Sequence, residues 1–294
     1  MTHILGVALA LTCALTTNLG FLYKHRGVNE VPAVDFCRPL CSARQLFRSK
    51  FFSIGMLIAC GSWIFHVGAM AMVPLSVVQA VLAGGIVLLA IMAERAFGVP
   101  VGSRQWLGIG LTAAGLLLLA ISLPAVHGAH SRFSVPGMAA FQGALIAAGA
   151  LLIVGPRIGA AQHHHGVMLG AASGILFGVS DIGIKALTGV VGAHGLLGLA
   201  SPWLLVAVVA SVVAFYASAK ALQDGDPVPV IAITATAANV AGILGGLVVF
   251  GDPFPSSALG MAFESLAFAL VLVAAWLAPV PARAVGGRHM TAVA

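Results

Sequence analysis

The sequence predicts an all-α, polytopic membrane protein of about nine transmembrane helices, built as two inverted four-helix repeats joined by a connecting helix. Three observations carry this prediction. Of the 294 residues, 60% are hydrophobic and 7% charged, with a mean hydropathy of +1.08, whereas soluble domains are about a quarter charged. Apolar stretches long enough to cross a bilayer recur along the chain. A segment of the first half also matches a segment of the second at a constant offset.

The apolar stretches fall at about 4 to 22, 52 to 72, 74 to 94, 105 to 122, 137 to 155, 165 to 187, 201 to 219, 228 to 250 and 257 to 278. The first has no Lys or Arg before it and no small-residue cleavage pattern after it, so it is expected to stay in the protein rather than act as a secretory signal. The second and third meet at Val73-Pro74 and must form a tight hairpin, with Pro74 where a missing N–H costs little. The eighth lies between the turn-forming Gly225-Asp226-Pro227 and Gly251-Asp252-Pro253. No window shows strand alternation, which excludes a barrel. The 36 glycines suit helices that pack backbone to backbone in lipid.

The net charge of +6 would suggest nucleic acid in a soluble chain, but the positions of the basic residues explain it otherwise. Six of them, from Lys24 to Lys50, follow the first span, and alternation puts Arg95, Arg104, Arg157, Lys220, Arg283 and Arg288 on the same side. Arg132 alone falls opposite, and Lys185 lies within a span. Positive loops stay inside, so the amino terminus is expected outside and the carboxyl terminus in the cytoplasm of a multi-pass cell (plasma or inner) membrane protein. The expected partners are the bilayer and a small-molecule or cation substrate, with no nucleic acid and no cofactor; the sequence leaves a homodimer open. Cys13, Cys37, Cys41 and Cys60 sit in helices or in the inner loop, where thiols stay reduced. Cys37 and Cys41 lack a second ligand pair for zinc, and His163-His164-His165 reads as a solvated loop.

Shifting the chain by 161 residues lays Ala80-Val81-Leu82-Ala83-Gly84-Gly85-Ile86-Val87 on Ala241-Gly242-Ile243-Leu244-Gly245-Gly246-Leu247-Val248, and Lys24 on Lys185. Residues 1–122 then form the first repeat, 123–160 the connecting helix and its loops, 161–278 the second repeat, and 279–294 a cytoplasmic tail. The single connecting helix makes the halves enter the membrane in opposite directions, an arrangement that secondary transporters use for alternating access.

The third and fourth spans contain Pro74-Leu75-Ser76-Val77-Val78-Gln79-Ala80-Val81-Leu82, Glu94-Arg95, Trp106-Leu107-Gly108 and Gly115. These residues resemble the drug/metabolite transporter superfamily: its proline-leucine helix start, its acidic-basic pair at the inner helix end, and the tryptophan-leucine-glycine that opens the next helix. The resemblance covers nearly the whole chain and implies an EamA-like helical transporter. The run Tyr23-Lys24-His25-Arg26-Gly27 and the long basic loop are similar to the NIPA-type magnesium transporter branch. That branch's first helix usually ends in a fuller lysine cluster.

Asp181 and Glu264 are the acidic side chains placed well inside predicted spans, where an ionisable group costs roughly 2.5 to 3.5 kcal/mol to insert. Gly166, Gly170, Gly174 and Gly178 form one face of the sixth span, and Asp181 falls at its middle, with Lys185 one turn further. At 1.5 Å per residue, Asp181, Glu264, His66, Gln79 and Gln142 all lie roughly 5 to 7 Å outward of their helix midpoints. Thr16, Thr17 and Asn18 lie further inward, and Thr234, Thr236 and Asn239 lie nearer the middle. The candidate binding or coupling residues are therefore Glu264, Asp181, Lys185, His66, Gln79, Gln142 and Asn239. Asp181 and Glu264 are the ligands if the substrate is Mg²⁺. His66, Gln79 and Gln142 serve equally as bonds between helices, and Asp181 with Lys185 as a structural ion pair. If that pair cancels, the remaining carboxyl of Glu264 suits proton-coupled movement of an organic solute.

Three function classes follow. The first is a secondary transporter of a small solute or cation working by alternating access, with Mg²⁺ as the NIPA-like alternative. A scaffold or receptor without transport is the second. An enzyme is not expected, since the chain has no His-Glu-x-x-His, Gly-x-Ser-Gly or Gly-x-Gly-Asp motif.

Overall fold

The computed structural model describes residues 2–35, 38–85, 131–155, 165–225, 227–252 and 257–277, with isolated positions between 103 and 118. Every regular element among them is helical: α1 (Thr2–Val28), α2 (Pro39–Leu46), α3 (Lys50–Met72), α5 (Val135–Val154), α6 (His165–His194), α7 (Pro202–Asp224), α8 (Pro227–Val248) and α9 (Ala258–Leu277). Helix α4 is described over Leu75–Gly85. A short 3₁₀ turn, Gly195–Leu199, follows α6. The chain is a multi-pass helical membrane protein. Five of its described helices are long and apolar enough to span a bilayer, and Leu57, Ile64, Leu151, Leu205 and Leu259 point outward with at least 65% of their surface exposed. Most of the fourth expected span, the Glu94-Arg95 pair and the tail lie outside the described residues.

Helix starts follow local chemistry. Ser49, Ser134 and Ser201 each accept a backbone N–H from the first turn of α3, α5 and α7. The α3 helix ends at the extended Val73 before Pro74, and α4 begins at once. Three helices run longer than expected, α7 by five residues past its expected end at 219. The first continues to Val28 instead of ending near 22, so Lys24, Arg26 and their neighbours are helical rather than loop, and α6 runs seven residues past its expected end at 187. The extensions of α1 and α6 find neighbours to pack on: Gly27 lies against Phe52 of α3, and Gly189 lies against Ser131, just before α5.

Glycine decides which helices touch. At the crossing of α1 and α3, a Cβ on Gly55 would sit 2.8 Å from Gly20 O and from Lys24 Cγ. The glycine face of α6 packs on α8: a Cβ on Gly174 would run into Thr234 O, and one on Gly178 would lie 2.5 Å from Ala241 Cβ. Thr234 donates to Gly170 O at 3.0 Å across the same contact. Helix α7 covers the other side of α6 through Ser173 to Ala214 O (2.9 Å) and Ser180 to Ser211 (2.7 Å). Two of the apolar clusters lie at these contacts. One joins Met70, Val73 and Leu75 to Met138, Ile182 and Phe250; the other joins Val28, Leu46 and Phe52 to Leu169, Leu222 and Ile231.

Candidate functional site

Helices α1, α3, α4, α6 and α8 line a partly open cavity of about 230 Å³. Cys13, Thr17, Asn18, Phe21 and Lys24 of α1 line it, spaced so that one helix face runs along it for about 16 Å at 1.5 Å per residue. Ser62, Trp63 and His66 of α3 face them. Gln79 comes from α4, Asp181 from α6, and Thr234, Ala238 and Asn239 from α8.

Asp181 is held at one end of this space. His66 Nε2 lies 3.0 Å from its Oδ1 and Gln79 Nε2 donates to its Oδ2 at 2.8 Å. The carboxylate of α6 is thus fixed by two helices of the first half. Gly242 makes room for this, since a Cβ there would run into the Gln79 side chain. Below Asp181, Cys13 Sγ lies 3.3 Å from Ser62 Oγ, and Thr17 bonds the same hydroxyl. Asn18 Nδ2 reaches Gly85 O at 2.5 Å. Lys24 closes the lining at the far end, its ammonium 4.0 Å from the centre of the Phe21 ring. The cavity therefore carries an anion at one end, a cation at the other, and hydroxyl, thiol and amide groups between.

The structure brings together four of the seven candidates, namely Asp181, His66, Gln79 and Asn239. The other three go elsewhere. Gln142 donates to Val179 O at 3.3 Å and joins α5 to α6. Lys185 does not pair with Asp181. Its Nζ donates to Met70 O at 2.9 Å and Val73 O at 3.0 Å, because those carbonyls at the end of α3 lie within reach and lack helical donors. Glu264 is 1% exposed and lies outside the cavity lining. Its Oε2 has no hydrogen-bond partner among the described residues, and Asp252 is the charge acting on it. Of the other polar positions, Thr16 folds back on Thr12 O at 2.8 Å, whereas Thr17, Asn18 and Thr234 face the cavity.

Sequence reasoning passed over Cys13, Ser62, Trp63 and Asp252. Helical spacing was the available signal for the first three: Cys13 is one turn before Thr17, and Ser62 one turn before His66. Among the described residues, no three His, Cys, Asp or Glu side chains converge as a ready metal-ligand set. Cys37 and His163-His164 lie outside the described residues, and His165 opens α6 with its Nδ1 2.9 Å from Asp224 Oδ2.

The chain is similar to a protein of Arabidopsis thaliana described as a probable magnesium transporter, NIPA9. The two are 21% identical over 298 residues, which cover 97% of this chain and 84% of that protein. No protein-family model matches the chain, and no solved structure matches it.

Proposed function

We propose that the chain is a secondary transporter that moves a small cation across a cell membrane by alternating access, with Mg²⁺ as the first candidate. One observation carries the reading: Asp181 lines a cavity walled by helices of both halves, at a depth where an ionisable side chain ordinarily serves function. The similarity to a probable magnesium transporter over nearly the whole chain supports it. So does the cavity's chemistry. Mg²⁺ sheds water reluctantly and needs only one or two carboxylates, so one aspartate in a cavity also lined by Asn18, Asn239, Thr17 and Thr234 can take the ion with part of its water shell.

Membership of the drug/metabolite superfamily and inverted repeats of four helices belong to the same proposal. They are supported by the offset of 161 residues and by the packing of α1 on α3 and of α6 on α7. The distribution of Lys and Arg supports an outer amino terminus and an inner carboxyl terminus.

A second reading is favoured by Lys24. With Asp181 at one end of the lining and Lys24 at the other, the cavity also suits a zwitterionic organic solute. Flux into proteoliposomes decides between the two. The cation reading expects Mg²⁺ influx that Asp181→Asn reduces at least tenfold and that zwitterionic amines do not inhibit. Uptake of a zwitterion without Mg²⁺ movement establishes the second reading, and no flux of either overturns transport.

A further inference from the structure

The α3–α4 hairpin is gripped by two opposite charges from the second half of the chain, and each sits at the helix end whose dipole it complements. Helix α3 ends with its carbonyls pointing at the break. The ordinary helical donor to Met70 O would be the N–H of residue 74, which is proline and has none. Lys185 Nζ fills that place, donating to Met70 O at 2.9 Å and to Val73 O at 3.0 Å. A cation at a helix C-terminus is favoured by the macrodipole. Two residues past Pro74, the first turn of α4 presents free N–H groups, and Ser76 N donates to Asp252 Oδ2 at 2.8 Å. There an anion is favoured at a helix N-terminus.

The grip is built into the fold around it. Asp252 reaches Ser76 only because residue 246 is glycine: a Cβ there would run into Asp252 Oδ2 and lie 2.8 Å from Ser76 N. The turn after α8 aims the carboxylate through Asp252 N to Gly246 O at 2.9 Å and through Gly251 at φ +60°. Lys185 is fully buried, Asp252 is 5% exposed, and the two charges act on each other. Both contacts tie the second half to the first on the side of Asp181 away from Lys24. In that direction the apolar cluster of Met70, Val73, Leu75, Ile182 and Phe250 fills the space, whereas the cavity lining runs the other way, toward Lys24.

We propose that Lys185 and Asp252 form the gate that seals the cavity on the Val73-Pro74 side, and that both charges must leave the hairpin for the cavity to open there. This rests on the transport reading above. Alternating access requires one closed end at a time, and here closure is electrostatic and borne by three hydrogen bonds between the hairpin backbone and the two side chains. Backbone ends can be satisfied by water once the contact opens, so the clamp can reform without refolding either helix.

The test places a single cysteine, Ala238→Cys, in the cavity of the full chain after the native cysteines are replaced by alanine. Sealed vesicles are exposed to a membrane-impermeant thiol reagent on one face at a time. With the gate intact, modification from the face at the Val73-Pro74 end is expected at least tenfold slower than from the face at the Lys24 end. Asp252→Asn and Lys185→Met are expected to raise the slow rate about tenfold or more and leave the fast one within about twofold. Lys185→Gln, which keeps a donor, serves as the variant of closest shape. An unchanged slow rate in both Asp252→Asn and Lys185→Gln overturns the gate. Mg²⁺ flux measured on the same vesicles separates the two claims. Opened access with no flux of any solute sinks the transport reading and leaves the gate standing, whereas flux with unaltered access sinks the gate alone.

Discussion

His66 Nε2 and Asp181 Oδ1 stand 3.0 Å apart, a contact between residues 115 positions apart in sequence that fixes a carboxylate of α6 to the last third of α3. Gln79 completes the hold from α4, so the anion at the head of the cavity is positioned by three helices.

This contact has a measurable strength. Hydrogen bonds between membrane helices average about 0.6 kcal/mol and reach about 1.7 kcal/mol. A double-mutant cycle of His66→Ala and Asp181→Asn, read from denaturation in detergent, is expected to give a coupling of about 1 kcal/mol. Additive effects of the two substitutions would place the residues out of contact.

Glycine positions separate into those that need the missing side chain and those that do not. Gly174→Ala meets the backbone of Thr234 and is expected to destabilise the protein by about 1 to 3 kcal/mol. Gly61→Ala has open space around it and is expected to be neutral, or stabilising by up to about 1 kcal/mol through helix propensity. Thermal unfolding of the two variants checks this, and equal effects would contradict the packing of α6 on α8.

Gln223 makes three of the hydrogen bonds that hold the basic segment after α1. Gln223 Oε1 accepts Val34 N–H at 2.7 Å, and its Nε2 donates to Val28 O and Pro32 O, each at 3.2 Å. Gln223→Ala removes all three bonds, leaving Tyr216 to Pro39 O (2.9 Å) beside them. Limited digestion with a glutamate-specific protease is expected to cut after Glu30 at least several-fold faster in the variant than in the wild type. Equal rates would show that the remaining contacts, among them Ser49 to Glu30 (2.7 Å), hold the segment without Gln223.

Helix existence was legible from hydropathy, because a bilayer demands long apolar runs whatever the partners are. The α6 glycine face and Asp181 within it were legible for the same reason: fourfold spacing makes a groove, and a buried acid there needs a polar neighbour. Partners chosen across the fold were not legible. Asp181 and Lys185 are spaced as an ion pair, yet Lys185 turns to carbonyls of α3 that Pro74 leaves without a donor, and no local pattern encodes that preference. Asp252 read as a turn residue between Gly251 and Pro253, although its partner Ser76 lies 176 positions away. Glu264 stood out as a lone buried acid, but its place beside α4 and α8 depends on Ala267 and Phe268 packing with Ala80 and Ile243.

The most direct test asks whether the transported solute occupies the cavity beside Asp181. Ala238→Cys protein whose native cysteines are replaced by alanine is treated in detergent with a small aqueous thiol reagent, with and without saturating Mg²⁺. The account predicts that Mg²⁺ slows modification several-fold, and that the protection disappears when Asp181→Asn is added. Modification that Mg²⁺ and every other transported solute leave unchanged, or protection that survives Asp181→Asn, would contradict it.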